Sequence, residues 1–94
     1  MSGIAFDWDE GNVEKLRLRH GIEPYEVEEA IADNHGIGMP VYNRNAERRF
    51  GWLGETEDGR LLFVVFTRRG GGIRPLSARD GQQEERRRYR RNRK

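Results

Sequence analysis

The side chains of this sequence best equipped for chemistry are two histidines and sixteen arginines. Imidazole titrates close to neutrality, so His20 and His35 are the candidates for moving a proton. Arginine stays protonated and presents a planar fork of donors, which suits it to holding phosphate and makes it a poor base. Arg49, Arg68 and Arg79 fall where strands begin or end. On one rim such cations would converge on a phosphate, with Arg74 beside Arg68 by hairpin topology; the alternative is a scatter of solvated arginines. His20 falls at a helix C-terminus, where the dipole favours imidazolium, so it either caps the last carbonyls or serves as acid or base. His35 lies in the polar loop Asn34-His35-Gly36 and reads as solvated. Glu85 either pairs with Arg79, acts as a base, or complements the first turn of a helix. With no cysteine and no histidine cluster at ligand spacing, no metal site and no cofactor are expected.

Composition narrows the partner. Of the 94 residues 36% are charged and 34% apolar, so the core must be small. The formal net charge of +2 conceals an asymmetry. Residues 1–34 carry nine acids against three bases, and residues 35–94 carry fifteen bases against seven acids. Such a division points to an anionic partner for the basic part. Sixteen of the 18 bases are arginine, which suits phosphate, although an arginine preference from a GC-rich genome would give the same bias. No apolar run approaches the roughly 20 residues that span a bilayer, and Met1-Ser2-Gly3 does not open a signal peptide. A single domain over residues 1–94, without membrane contact and cytoplasmic, is expected.

These residues need elements to position them. Ile4-Ala5-Phe6 reads as a short strand. Asp9 is an N-cap for a helix running to Arg19 or His20, with Gly21 as the residue that ends it. Val13, Leu16 and His20 form its inward stripe. Pro24 suits the first position of a second helix over residues 24–33, which buries Val27, Ala30 and Ile31 and turns Glu26, Glu28 and Glu29 outward. A strand is expected over residues 39–42. Then the period becomes two: residues 50–54 and 61–67 are strands joined by a hairpin with the Asp58-Gly59 signal. Leu61 to Phe66 is apolar on both faces and should be the central strand, sharing one core with both helices through Phe63 and Val65. Residues 73–78 form the last strand, placed by Pro75 at an edge or a bulge. Residues 80–94 form a helix weakened by Gly81, and residues 86–94 hold seven bases. The order is that of an α+β fold: a helical hairpin packed on an antiparallel meander, then a basic C-terminal helix. Trp8 and Trp52 read as core aromatics rather than platforms for stacked bases.

Five ordered stretches resemble the BrnT toxins: Phe6-Asp7-Trp8-Asp9, His20-Gly21-Ile22, Gly59-Arg60-Leu61-Leu62-Phe63-Val64-Val65, Ile73-Arg74-Pro75-Leu76-Ser77-Ala78-Arg79, and Glu85-Arg86-Arg87-Arg88-Tyr89. The resemblance implies a RelE-like fold and a toxin that cuts RNA without a metal and halts translation. It further implies a ribbon-helix-helix antitoxin of the BrnA kind, through which the complex reaches operator DNA. Metal-free RNA cleavage needs a base for the 2′-OH, a cation for the charge on phosphorus, and an acid for the leaving 5′-oxygen. Arg79, Arg68 and His20 are the candidate catalytic residues; Arg49, Arg74, Arg69, Arg86, Arg87 and Arg90 are the candidate RNA contacts. Two departures stand out: Glu23 replaces the serine common at that helix start, and the turn around Gly70 is unusually rich in glycine. The competing reading is a silent module that binds nucleic acid and a partner and co-represses its own operon. A sequence-specific DNA reader is disfavoured, since no helix-turn-helix pair is evident.

Overall fold

The computed structural model describes residues 3–93; Met1, Ser2 and Lys94, the last base of the expected basic tail, lie outside the described residues. The elements run α1 (Glu10–His20), α2 (Pro24–Ile31), β1 (Ile37–Met39), β2 (Phe50–Glu55), β3 (Leu61–Arg69), β4 (Gly72–Asp80) and α3 (Gln83–Arg93). The strands pair antiparallel in chain order, which makes β3 an interior strand of an α+β fold, as expected.

Helix α1 starts on a capping box: the Asp9 carboxylate accepts from the Asn12 N–H at 3.0 Å, and the Asn12 side chain accepts from the Asp9 N–H at 2.8 Å. It ends on Gly21 at φ 61°, in the left-handed region that favours glycine. Its inward face differs from the expected stripe. Leu16 is buried, but Val13 is half-buried and His20 exposed. The inward position one turn before Leu16 belongs to Asn12, whose side-chain amide donates 3.0 Å bonds to the carbonyls of Asp7 and Pro75 and so ties the helix to β4.

Helix α2 has Pro24 in its first turn, as expected, and stops at Ile31 rather than residue 33. Asp33 is used elsewhere: its carboxylate accepts the N–H groups of His35 and Glu55 at 2.9 and 2.8 Å, fastening the chain to β2. The approach of α2 to the sheet is close. A Cβ on Gly54 would stand 2.1 Å from the Ala30 carbonyl oxygen, so only glycine fits there. Beside it the Trp52 indole donates to the same carbonyl at 2.8 Å.

The edge strand β1 occupies Ile37–Met39 rather than residues 39–42, and β3 and β4 each extend beyond their expected ends to nine residues. Pro75 lies at a bulge, where the register passes from Val65↔Ser77 to Phe66↔Pro75 and leaves Leu76 extra. Outside β4, the expected first strand is reduced to a parallel bridge of Phe6 with Ile73. Asp80 remains in β4, and Gly81 sits outside α3 with its N–H on the Leu61 carbonyl at 2.9 Å, so it weakens no helical turn.

Instead of one core there are two, one on each face of the sheet. Leu16, Ile22, Val27 and Ala30 pack against Leu62, Val64 and Ala78. On the reverse face Leu53, Leu61 and Tyr89 form a second cluster, joined by Phe63. The expectation that Phe63 and Val65 meet α1 and α2 therefore has the wrong parity: alternation along β3 gives those helices Leu62 and Val64.

Candidate functional site

Of the three candidate catalytic residues, Arg79 lies where β4 hands over to α3. Arg79 and Glu85 form a two-pronged pair, with nitrogen–oxygen distances of 2.8 and 2.9 Å. Glu85 also accepts the Gln82 N–H at 2.8 Å, so the same carboxylate caps the start of α3. Two of the expected roles of Glu85, pairing and capping, thus occur at once. The Arg79 guanidinium lies 4.6 Å from the centre of the Phe63 ring. The Arg79 hydrogen bonds hold the Glu85 carboxyl below its ordinary value against the opposing effect of burial, and Glu85 in turn keeps Arg79 firmly protonated. Glu85 is thereby a weak base, and Arg79 a fixed cation on the face of the sheet that α1 and α2 leave open.

Next to it is an arginine that the sequence does not single out as a site residue. Arg60, just after the Asp58-Gly59 turn, donates to Asp80 at 2.7 Å and to Glu26 at 3.2 Å. It also reaches the carbonyls of His20 and Gly21 at 3.1 and 3.2 Å, closing off the C-terminus of α1. The Arg60 hydrogen bond is the main cause that lowers the Asp80 pKa; burial opposes it, and Arg60, Arg86 and His20 add their charge. Arg60 thus bridges the His20 carbonyl and the Asp80 carboxylate, and the Asp80 carbonyl accepts from Arg79 at 3.2 Å. The His20 ring is exposed, and the capping that was one of its two expected roles belongs to Gly21 and Arg60.

Arg68 stands apart. Arg79 pairs with Phe63 in the β3–β4 register, and Arg68 is five residues further along β3, roughly 16 Å away and on the opposite face. Its guanidinium lies 5.8 Å from the centre of the Phe50 ring instead. The expected convergence of Arg49, Arg68 and Arg79 on one phosphate does not occur, because an odd number of residues separates the β3 positions. Arg74 is opposite Thr67 as its neighbourhood with Arg68 requires, but it is held by Asp7 at 3.4 Å and Asp9 at 2.9 Å. Arg69 also pairs with Asp7 at 3.4 Å, and Arg49 with Glu47 at 3.6 Å.

Helix α3 carries the remaining candidates. Arg86, Arg87 and Arg90 are exposed, and of these Arg87 approaches Glu84 at 3.7 Å. The helix is anchored by Tyr89, whose ring is buried with Leu53 and Leu61 and whose hydroxyl donates to Asp33. Burial first, then that hydrogen bond, pushes the Tyr89 pKa up, so the hydroxyl keeps its proton. Both tryptophans are partly buried and satisfied, Trp8 by Glu28 and Trp52 by Ala30, in agreement with their core reading.

No helix among the described residues is long and apolar enough to cross a membrane. The sequence matches the family described as "Ribonuclease toxin, BrnT, of type II toxin-antitoxin system" over residues 8–85. Among solved structures, the chain is similar to the crystal structure of the Brucella abortus ribonuclease toxin, BrnT. The TM-score is 0.61 at 20% identity, covering 88% of this chain and 100% of that one. The search of curated proteins gives no match. Residues 8–85 take in α1, α2, the whole sheet and the Arg79–Glu85 pair, and on that match the chain belongs to the BrnT family of ribonuclease toxins of type II toxin–antitoxin systems.

Proposed function

We propose that the chain, acting as one domain with a RelE-like fold, is a cytoplasmic endoribonuclease that cuts RNA without a metal and so stops translation. The family match over residues 8–85 carries this reading. In the step proposed, the 2′-oxygen of a ribose attacks its own phosphate, the bond from phosphorus to the 5′-oxygen breaks, and a 2′,3′-cyclic phosphate remains. The 2′-proton passes to a base and the 5′-oxygen takes a proton from an acid. Arg79 supplies positive charge to the crowded phosphate, helped by the exposed Arg86 and Arg90 of α3. His20, whose carbonyl Arg60 ties to the Asp80 carboxylate, is the imidazole proposed to move the proton. Arg87 extends the cationic surface along which RNA would lie, while Arg68 and the carboxylate-paired Arg49, Arg69 and Arg74 serve RNA only at a distance from Arg79.

The partner proposed is a ribbon-helix-helix antitoxin of the BrnA kind, with operator DNA bound through it. The test is incubation of the purified chain with RNA in excess EDTA, with end-group analysis. Fragments ending in cyclic or 3′-phosphate support the reading. Intact RNA together with harmless induction in cells would replace it with the silent binding module.

A further inference from the structure

The layer formed by α1 and α2 is shorter than the sheet beneath it. Helix α2 spans about 12 Å and β3 about 30 Å. The helices cover Leu62 and Val64, and β3 continues past them to Phe66 and Arg68. There the sheet is left with a groove: a hollow of about 400 Å³ lined by Ile4, Ile31, Phe50, Trp52, Phe66, Arg68 and Ile73. A second hollow of about 460 Å³ adjoins it, sharing Ile4, Arg68 and Ile73 and floored by the glycine turn at residues 70–72. Ile4 is 51% exposed at its rim. An apolar groove continued by a more polar hollow, on so small and so charged a chain, calls for an occupant.

Three observations define its chemistry. The lining is aliphatic and aromatic, with Phe50 and Phe66 stacked at 5.5 Å. The one indole N–H in the lining, on Trp52, is already given to Ala30. Finally, Arg48 and Arg68 reach over the Phe50 ring at 5.6 and 5.8 Å and make no ion pair among the described residues. Other arginines near this end, Arg69 and Arg74, have carboxylates of their own. Specific reading of a nucleobase edge needs donors and acceptors, and the lining side chains offer none but arginine, while Phe50 and Phe66 stack on each other. Apolar side chains flanked by carboxylates fit both the floor and the rim.

We propose that this groove is the seat of the antitoxin, taking a segment whose bulky apolar side chains enter between Ile4, Phe66 and Ile73 while its Asp or Glu residues pair with Arg48 and Arg68. This rests on the chain being the toxin of a toxin–antitoxin pair. It places the protein partner on the α1–α2 face, away from Arg79 and Phe63, so the antitoxin is anchored on one face and must reach round the sheet to shield the other.

The experiment is selection of a displayed library of random 12-residue peptides against the full-length folded chain. Synthetic copies of the winners are then titrated against the parent and against Ile4→Glu and Arg48→Glu, both at exposed positions. The expected winners combine Leu, Ile or Phe with Asp or Glu and lose about tenfold or more in affinity to either variant. Circular dichroism melts confirm that the variants fold. Winners without acidic residues, winners indifferent to both variants, or no winners would overturn the proposal. So would displacement of the winners by an eight-nucleotide uridine oligomer that itself binds Ile4→Glu more weakly, which would make the groove a nucleic-acid seat. Peptide binding as expected by a parent that cuts no RNA would keep the groove and overturn the nuclease reading instead.

Discussion

Arg79 and Glu85 grip each other through two hydrogen bonds, so the residue proposed to hold a phosphate is also the latch between β4 and α3. Any change at Arg79 has to be read through both roles. Arg79→Ala should lower RNA cleavage by ~10²–10³-fold, the scale for losing one preorganised donor. It should also lower stability by about 1–2 kcal/mol, the net contribution of charge-assisted hydrogen bonds reduced by the partial exposure of the pair. The alternative of a merely solvated arginine does not hold for Arg79, which is tied to Glu85. Glu85→Gln separates the roles: it loosens the latch and leaves the cation. Cleavage rates measured per folded molecule, beside urea melts, check this. Full activity in Arg79→Ala would move the site elsewhere.

Arg60 ties the end of α1, α2 and β4 to the turn before β3. Arg60→Ala should destabilise the chain by about 2–3 kcal/mol, since several hydrogen bonds to charged partners are lost together. Arg60→Lys should recover only a small part, because an ammonium cannot reproduce the fork that spans Asp80 and the helix carbonyls. Urea midpoints at constant slope measure both. A loss below about 0.5 kcal/mol would make the network ornamental.

His20→Ala should leave stability within about 0.5 kcal/mol, because the ring is exposed. If His20 moves a proton in cleavage, the same variant flattens one limb of the pH–rate profile. Parental cleavage with an unchanged profile would retire His20 as acid or base.

Acid should weaken the fold through Asp33, Asp80 and Glu85, all held below their ordinary values in the folded chain. A lowered folded pKa means that the unfolded chain takes up protons first. The stabilisation is therefore complete well above the ordinary values of 3.8 for Asp and 4.5 for Glu, and is lost as pH falls through them toward the folded values. Urea titrations between pH 7 and 2.5 should show a steep decline below about 4.5, reduced in Asp80→Asn. An unchanged acid slope in that variant would exclude Asp80 from the effect.

Truncating the arginine-rich end is unsuitable as a test of RNA binding, because Tyr89 lies in it and is buried. Arg86→Gln, Arg87→Gln and Arg90→Gln together keep the helix and remove three exposed charges. If each meets one phosphate of single-stranded RNA, the slope of log affinity against log salt should flatten by roughly 2. An unchanged slope would leave these arginines to a protein partner.

The order of elements was readable because each has a local signal: Asp9 and Gly21 bound α1, Pro24 opens α2, and Asp58-Gly59 turns the hairpin. The face of β3 was not readable. From Leu61 to Phe66 every position is apolar, so a period of two has no phase, and only packing against Ile22 and Val27 decides that Leu62 and Val64 point to the helices. That missing phase is why Arg68 and Arg79 were expected on one rim. Arg60 was hidden for another reason. Its value lies in contacts 20 to 40 residues away, for which a single sequence carries no sign beyond an arginine placed just after a tight turn.

Pro75 and the chain preceding α1 bear on how copies of the protein avoid one another. A nine-residue outer strand such as β4 would ordinarily invite a neighbouring molecule to add its own strand and seed a growing fibre. Here Ala5 and Asp7 occupy both backbone groups of Ile73. Pro75 has no N–H to offer, and its carbonyl is taken by Asn12. At the opposite margin β1 is three residues long and is followed at once by Pro40. Half of the β4 margin is thus closed and the β1 margin is short, which makes both poor templates for an added strand even when no partner covers them.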